Sequence, residues 1–172
     1  AKGKVTSLAS GSTSVTIYSK DGNSKKTVRV KVAEGTIRTT TKGNVKGTKS
    51  SDAASLIWYG IPYGASTGGT NRWKAPQPVS AWSGTWNARI PKSGAACYGD
   101  GTNYQGTEDC LYVNIYRPNT TEKNLPVMVY LHGGGNASGT ANTDFSKFAV
   151  AAKAVVVSVE YRLGAFGYLS HP

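Results

Sequence analysis

Long hydrophobic runs are missing from this chain. No stretch approaches the roughly 20 apolar residues that a membrane-spanning helix needs, so we expect no membrane span. Acidic residues are scarce, nine against twenty Lys and Arg, which leaves a formal charge of +11. Cysteine is scarcer still, with Cys97 and Cys110 alone among 172 residues. No internal repeat or low-complexity tract is present. There is neither an initiator Met nor a signal peptide, and with Ala1 at one end and Pro172 at the other the chain reads as a cut through a longer protein. The hydrophobic share of 38% is modest, but ten tyrosines and four tryptophans can supply core area. The length suits one ordinary domain, or a domain with part of another.

What is present is unevenly spread. Residues 1–50 carry eleven Lys or Arg against two acids, and the remainder carries nine against seven. A basic stripe can bind nucleic acid or anionic polymer. Here the lysines alternate with strand-type residues, so they read as a solvated face, and no nucleic-acid partner is expected. STSVTIYS (12–19) and KTVRVKVA (26–33) alternate apolar with polar around an Asp21-Gly22 turn, a β-hairpin signal. With GKVTSLASG before it, this segment is similar to the C-terminal half of a bacterial immunoglobulin-like group 2 domain, a secreted β-sandwich module. That resemblance implies a partial all-β module over 1–34, with possible cell-surface attachment through it.

From residue 35 onward the pattern changes. TIRTTT, a Lys42-Gly43-Asn44 turn, NVKGTKS and ASLIWYG read as short β pieces. Residues 60–110 are rich in Gly, Pro, Ser and Trp and read as a long ordered loop held by its aromatics. LYVNIYRP (111–118) alternates, as a half-buried strand does. LPVMVYLH (125–132) and AVVVSVEY (154–161) are nearly all apolar, as strands covered on both faces are. Between them DFSKFAVAAK (144–153) has helical spacing, with Thr143 or Asp144 as its N-cap. Strand, Gly-rich loop, helix and strand in succession predict an α/β architecture. Cys97 and Cys110 enclose a loop rich in Gly, Asn, Asp and Tyr, which fits either a disulfide in an oxidising compartment or two separate buried thiols.

The Gly-rich loop is YLHGGGNASG, residues 130–139. Its spacing fits neither GxxxxGK followed by Ser or Thr nor GxGxxG, so a phosphate cradle is not expected. A plain turn and an oxyanion hole remain. In the second, backbone N–H groups are aimed at the negative oxygen of a tetrahedral acyl-transfer intermediate, and adjacent glycines leave room for the acyl carbon. An HGGG run after a strand is the oxyanion loop of lipases and esterases with the α/β-hydrolase fold.

The flanks decide between them. GNVKG (43–47), GIPYG (60–64), RWKAPQPVSAWSGTWNA (72–88), EDCLYVNIYRP (108–118), PVMVYLHGGG (126–135) and VVVSVEYRLGAFGYLS (155–170) follow one another in order. Together they closely resemble the N-terminal part of the type-B carboxylesterases, the family of cholinesterases and para-nitrobenzyl esterases. The resemblance implies an α/β fold over 35–172, the N-terminal part of an α/β-hydrolase domain truncated before its nucleophile elbow. It implies a secreted or cell-surface serine esterase acting on small-molecule carboxylic esters through an acyl-enzyme, with no cofactor and no metal. An esterase-like binding module that has lost its nucleophile is the alternative.

Residue by residue, Gly134 and Gly135 would donate two oxyanion N–H groups, and Gly133 would shape the turn. Asn136, where relatives mostly carry an aromatic or small apolar residue, would line the acyl pocket. By the same resemblance Cys97 and Cys110 would form a disulfide, and Arg72 and Glu108 a structural salt bridge. Arg162 would pair with an acid beyond this chain. Glu160 replaces the usual Asn or Ser before Tyr161-Arg162, a change to be tolerated where the side chain is exposed or paired. His132 would support the loop by a hydrogen bond. GSTS (11–14) and GNASG (135–139) lack the GxSxG spacing, and no acid is placed to orient a Ser170–His171 pair. The serine, acid and histidine of the triad are therefore expected after Pro172, and this segment alone is expected to be inactive. Asn119-Thr-Thr121 and Asn136-Ala-Ser138 fit the glycosylation pattern; we read both as chance matches.

Overall fold

The computed structural model describes residues 35–92, 97 and 106–170 in full, and the backbone of 11–18 and 25–32. The chain divides into two compact units, Ala1–Ile37 and Arg38–Pro172. In the first, β1 (Gly11–Tyr18) pairs antiparallel with β2 (Lys25–Val32) in a register running from Gly11↔Val32 to Tyr18↔Lys25. The alternation read as a hairpin thus pairs as one. The Asp21-Gly22 turn and, apart from Gly11, the GKVTSLASG stretch lie outside the described residues.

The second unit is built on a five-stranded sheet of order β5-β6-β8-β10-β9. Its strands are β5 (Thr48–Lys49), β6 (Ser55–Pro62), β8 (Tyr112–Pro118), β9 (Val127–Leu131) and β10 (Val155–Val159). Strands β5, β6, β8 and β10 run antiparallel to their neighbours, and β10 and β9 pair in parallel. Parallel neighbours need a crossover, supplied by the glycine loop and α1 (Ser146–Ala152). A smaller sheet joins β3 (Ile37–Thr40), β4 (Gly43–Lys46) and β7 (Thr85–Asn87). A short helix, α2 (Gly164–Tyr168), follows β10.

Successive side chains of a strand point to opposite faces, and β6 uses both. Leu56, Trp58 and Ile61 pack with Val45 and Ala88 on one side. Ile57 packs with Tyr116, Val156 and Ala149 of α1 on the other. Strand β8 keeps the expected alternation, its residues buried and half-buried in turn, but the buried set includes the polar Asn114, only 4% exposed. A bulge between Trp58 and Ile61 explains this. Gly60, at φ +60°, falls out of the ladder, and Asn114 Oδ1 accepts its N–H at 2.9 Å. The Asn114 amide in turn donates to the Ala141 carbonyl at 3.1 Å. A buried amide so satisfied carries little desolvation penalty.

The loop expected over 60–110 contains a strand that periodicity does not show. Strand β7 pairs in parallel with β4. Trp82 and Trp86 lie 5.5 Å apart, and their indole N–H groups donate to the carbonyls of Asn44 and Gly60. The aromatics do hold this region, through hydrogen bonds as much as packing. Helix α1 begins one residue later than an Asp144 cap, and two later than a Thr143 cap, would place it. Phe145 holds the cap position without a capping side chain, while Asp144 Oδ1 accepts the Ser146 N–H at 2.8 Å. Phe145 turns inward instead, its ring 5.9 Å from Tyr116 and 4.7 Å from Tyr130.

The larger difference concerns β9. Its apolar run predicts burial on both faces, yet Val127, Val129 and Leu131 are 63–65% exposed and Met128 is 45% exposed. Strand β9 closes the described sheet and pairs only with β10. On β10 the cover is complete on one face, where Val156 and Ser158 are buried, and partial on the other, where Val155, Val157 and Val159 are half-buried. On β9 only Tyr130 is half-buried, against Phe145.

Candidate active site

The glycine loop leaves the C-terminal end of β9, the end of a strand at which α/β sheets carry their ligands. The Gly134 carbonyl accepts the Ala137 N–H at 3.0 Å, closing a turn whose central residues, Gly135 and Asn136, have φ of +61° and +62°. Positive φ at both central positions is the type I′ arrangement, which selects Gly and Asn. Asn136 therefore has a conformational reason to be there: Asn enters left-handed backbone at less cost than other side chains. Gly134 is required for space as well. At φ +128°, a Cβ on it would sit 2.0 Å from the Ser138 carbonyl oxygen. Positions 133 and 135 are open, with nothing within 4 Å of an added Cβ.

Among the described residues, no acceptor receives the N–H of Gly134 or of Gly135. Both residues are exposed, as are Gly133 and Asn136. The loop therefore offers free donors on rigid backbone, with no pocket wall closed around them. Its fixity comes from below. Buried His132 sets Nδ1 3.0 Å from the Gly133 carbonyl and stacks on Tyr161 at 4.4 Å. The Tyr161 hydroxyl donates to the His132 carbonyl. Burial first, then neighbouring Tyr168 and Glu160, push that phenol up, so it stays a donor. Gly139, at φ +119°, lies under this arrangement; a Cβ there would be 2.3 Å from His132 Nδ1 and 2.4 Å from the Gly133 oxygen. On the outer side, the Gly164 N–H donates to the Asn136 carbonyl at 2.7 Å.

Gly139, Tyr161 and Gly164 are supports that sequence reasoning missed. Tyr161 and Gly164 sit in a block already matched and Gly139 in the glycine loop itself, but only the close approaches show what each does. Glu160, read as a tolerable replacement, is 2% exposed. Its Oε1 accepts the Thr140 hydroxyl at 2.7 Å and the Ala141 N–H at 2.8 Å. The Arg162 guanidinium donates to the Lys74 carbonyl at 2.9 Å.

Cys97 and Cys110 form a disulfide with Cα atoms 5.2 Å apart, packed with Leu111 and Leu163. Most of the loop between them lies outside the described residues. Arg72 grips Glu108 with two hydrogen bonds, Nε to Oε1 at 2.7 Å and Nη2 to Oε2 at 2.5 Å. The Glu108 carbonyl accepts both the N–H and the hydroxyl of Thr67, which ties the 64–72 segment to the disulfide region. These bonds from Arg72, more than its charge alone, hold the Glu108 carboxyl below its ordinary range. A carboxyl depressed in the folded state stabilises above its unfolded value, about pH 4.3, and loses that contribution as pH falls through the folded value. Urea titrations of wild type and Glu108→Gln are thus expected to differ at neutral pH and to converge as the pH drops below about 4. A gap that persists into strong acid would show that the pair contributes nothing through charge.

One literal GxSxG does occur, at Gly64-Ala65-Ser66-Thr67-Gly68, and the sequence reading passed over it. A nucleophile elbow is a sharp strand-to-helix turn that presents the serine. Here the stretch follows β6 into irregular backbone. The Ser66 hydroxyl accepts the Gly68 N–H at 3.3 Å, and its carbonyl accepts the Asn71 amide. Ser66 is spent on local turn bonds and has no histidine partner among the described residues. His171 lies outside them. No group of three His, Cys, Asp or Glu side chains among the described residues gathers to hold a metal ion. No helix there is long and apolar enough to cross a membrane.

Comparison with known proteins agrees with this geometry. A family model described as the carboxylesterase family matches residues 32–172. The para-nitrobenzyl esterase of Bacillus subtilis (strain 168) is 40% identical over 142 residues, covering 77% of this chain and 29% of that protein. Esterase E4 of Myzus persicae is 38% identical over 130 residues, covering 64% and 22%. The solved structure of a thermophilic PNB esterase superposes with a TM-score of 0.72 at 36% identity, over 78% of this chain and 29% of that one. The chain thus spans less than a third of the length of these relatives. Its architecture is α/β, of the α/β-hydrolase type that these esterases share. With the match running through both sheets and the glycine loop, the chain belongs to the carboxylesterase family.

Proposed function

We infer that this chain is the oxyanion-loop portion of a serine carboxylesterase, which hydrolyses small-molecule carboxylic esters through an acyl-enzyme. One observation carries the reading: among the described residues the N–H groups of Gly134 and Gly135 stand without acceptors at the end of a parallel strand, on a loop braced by His132, Gly139 and Gly164. Such donors stabilise the oxygen that becomes negative as a nucleophile attacks an ester carbonyl, and they need no reorganisation at that moment. The attacking serine and its base come from further polypeptide. The exposed apolar side chains of β9 are faces for that polypeptide to cover, and the open backbone edge of β9 is where the sheet continues. Asn136 stands at the rim of the acyl pocket, where its amide sets specificity.

The disulfide and the hairpin support a secreted or cell-surface protein, with the first unit as part of an immunoglobulin-like module. The complete polypeptide is expected to turn over p-nitrophenyl acetate at a rate abolished by replacing its GxSxG serine. Residues 1–172 alone are expected to show no turnover above background. Esterase-like rates from the isolated segment, or a complete protein whose rate ignores that serine, would overturn the reading.

A further inference from the structure

We propose that Glu160 is a positioning residue for the oxyanion loop, acting through His132 to aim the Gly134 N–H; this rests on the esterase reading above. The parallel register sets Leu131 beside Val159, so the next residue of each strand, His132 and Glu160, emerges side by side. Both are buried. His132 Nε2 lies 3.6 Å from Glu160 Oε2, just beyond hydrogen-bond reach, and neither atom has another partner among the described residues. Their other side-chain polar atoms and both backbone carbonyls are engaged. Oε1 serves Thr140 and Ala141, Nδ1 faces the Gly133 carbonyl, and the backbone carbonyls accept the hydroxyls of Tyr161 and Tyr63.

The hydrogen inventory follows from the atom types. A carbonyl can only accept, so His132 Nδ1 carries a proton. A neutral imidazole has a single N–H, so once Nδ1 holds it, Nε2 presents a lone pair to a carboxyl oxygen. Two lone pairs facing each other repel, so the pair is satisfied when a second proton is shared between Nε2 and Oε2 and the two atoms draw in from 3.6 Å to hydrogen-bond reach. Glu160 completes the pair by supplying or receiving that proton. Without it, nothing beside Nε2 holds the ring in the form that keeps Nδ1–H on Gly133.

The link to chemistry is the peptide plane. The Gly133 carbonyl and the Gly134 N–H belong to one planar trans unit and point in opposite directions. Fixing the carbonyl on His132 therefore points the N–H outward, to where the oxyanion forms. As that oxygen becomes negative the shared peptide polarises, and the His132 bond strengthens with it. An interaction that tightens in the transition state affects kcat more than KM.

The test uses the complete enzyme, with 15N-labelled histidine and p-nitrophenyl acetate as substrate. In the wild type, the 15N shift of His132 Nδ1 is expected to be that of a protonated nitrogen. Glu160→Gln can donate an amide N–H to Nε2, which keeps the proton on Nδ1, so kcat should stay within about threefold of wild type. His132→Phe keeps a ring to stack on Tyr161 but has no Nδ1–H, and kcat should fall about tenfold with KM unchanged, the worth of one well-aimed hydrogen bond. Glu160→Leu should fall as far and show a mixed tautomer at His132. An unprotonated Nδ1 in the wild type overturns the proposal. So does a Glu160→Gln variant that loses Nδ1–H, or a His132→Phe variant with wild-type kcat. A complete protein with no esterase activity sinks the functional reading instead, while the nitrogen shifts still decide this one.

Discussion

Gly134→Ala is expected to lower kcat for p-nitrophenyl acetate by ~10²–10³ in the complete esterase, with KM little changed, the loss typical of one oxyanion donor. The argument is steric before it is catalytic. An Ala Cβ would meet the Ser138 carbonyl oxygen at 2.0 Å. That oxygen belongs to backbone folded against the turn, so the clash cannot be relieved by rotating a side chain. The φ of +128° adds strain of its own, in a region that L-residues rarely enter. The loop must shift, and the free N–H shifts with it. Gly135→Ala is the control. Its φ of +61° is also left-handed, at about 1–2 kcal/mol for Ala, but nothing lies within 4 Å of its Cβ. It should destabilise modestly and keep far more activity than Gly134→Ala. Equal losses at both positions would mean that general loop strain, and not the aim of the Gly134 N–H, sets the rate. Wild-type kcat in Gly134→Ala would remove the glycine loop from the chemistry altogether.

Much of this architecture was legible in the sequence, and the reasons differ from element to element. Strands β8, β9 and β10 and helix α1 were legible because each carries its own apolar pattern. The glycine loop was legible because three adjacent glycines after a strand are costly to order without a purpose. Strand β7 was not, since three residues, Thr85–Asn87, are too few to show a period. The buried role of Asn114 was not legible either, since alternation alone does not show that a bulge at Gly60 creates a buried donor for it. Glu160 looked like a replacement to be tolerated. Its signal lay in register: two residues that each follow a strand become neighbours when those strands pair in parallel. The exposure of β9 has yet another source, because a run's apolar pattern reports the cover it is built for and not the cover this chain provides.

The second large effect is expected at the disulfide, and it reaches the oxyanion loop through backbone. Cys97 and Cys110 are 13 residues apart. Closing a loop of about that length removes unfolded-state entropy worth about 3 kcal/mol. The Cys97→Ser/Cys110→Ser variant is therefore expected to unfold at distinctly lower urea concentration than wild type, and reductant should move the wild type towards it while leaving the variant unchanged. The activity should respond too. The Cys97 carbonyl accepts the Leu163 N–H at 3.0 Å, and the next residue, Gly164, donates its own N–H to the Asn136 carbonyl. Leu163 is wholly buried against the disulfide, so these two bonds connect the sulfur bridge to the turn that presents Gly134 and Gly135. Loosening Cys97 frees Leu163, and Leu163 cannot move without Gly164. A few-fold fall in kcat is expected for the variant under conditions where it remains folded. An unchanged unfolding midpoint would show that packing against Leu111 and Leu163 holds this region without the bridge. A lowered midpoint with unchanged kcat would show instead that the Gly164–Asn136 bond anchors the turn independently of what lies behind it.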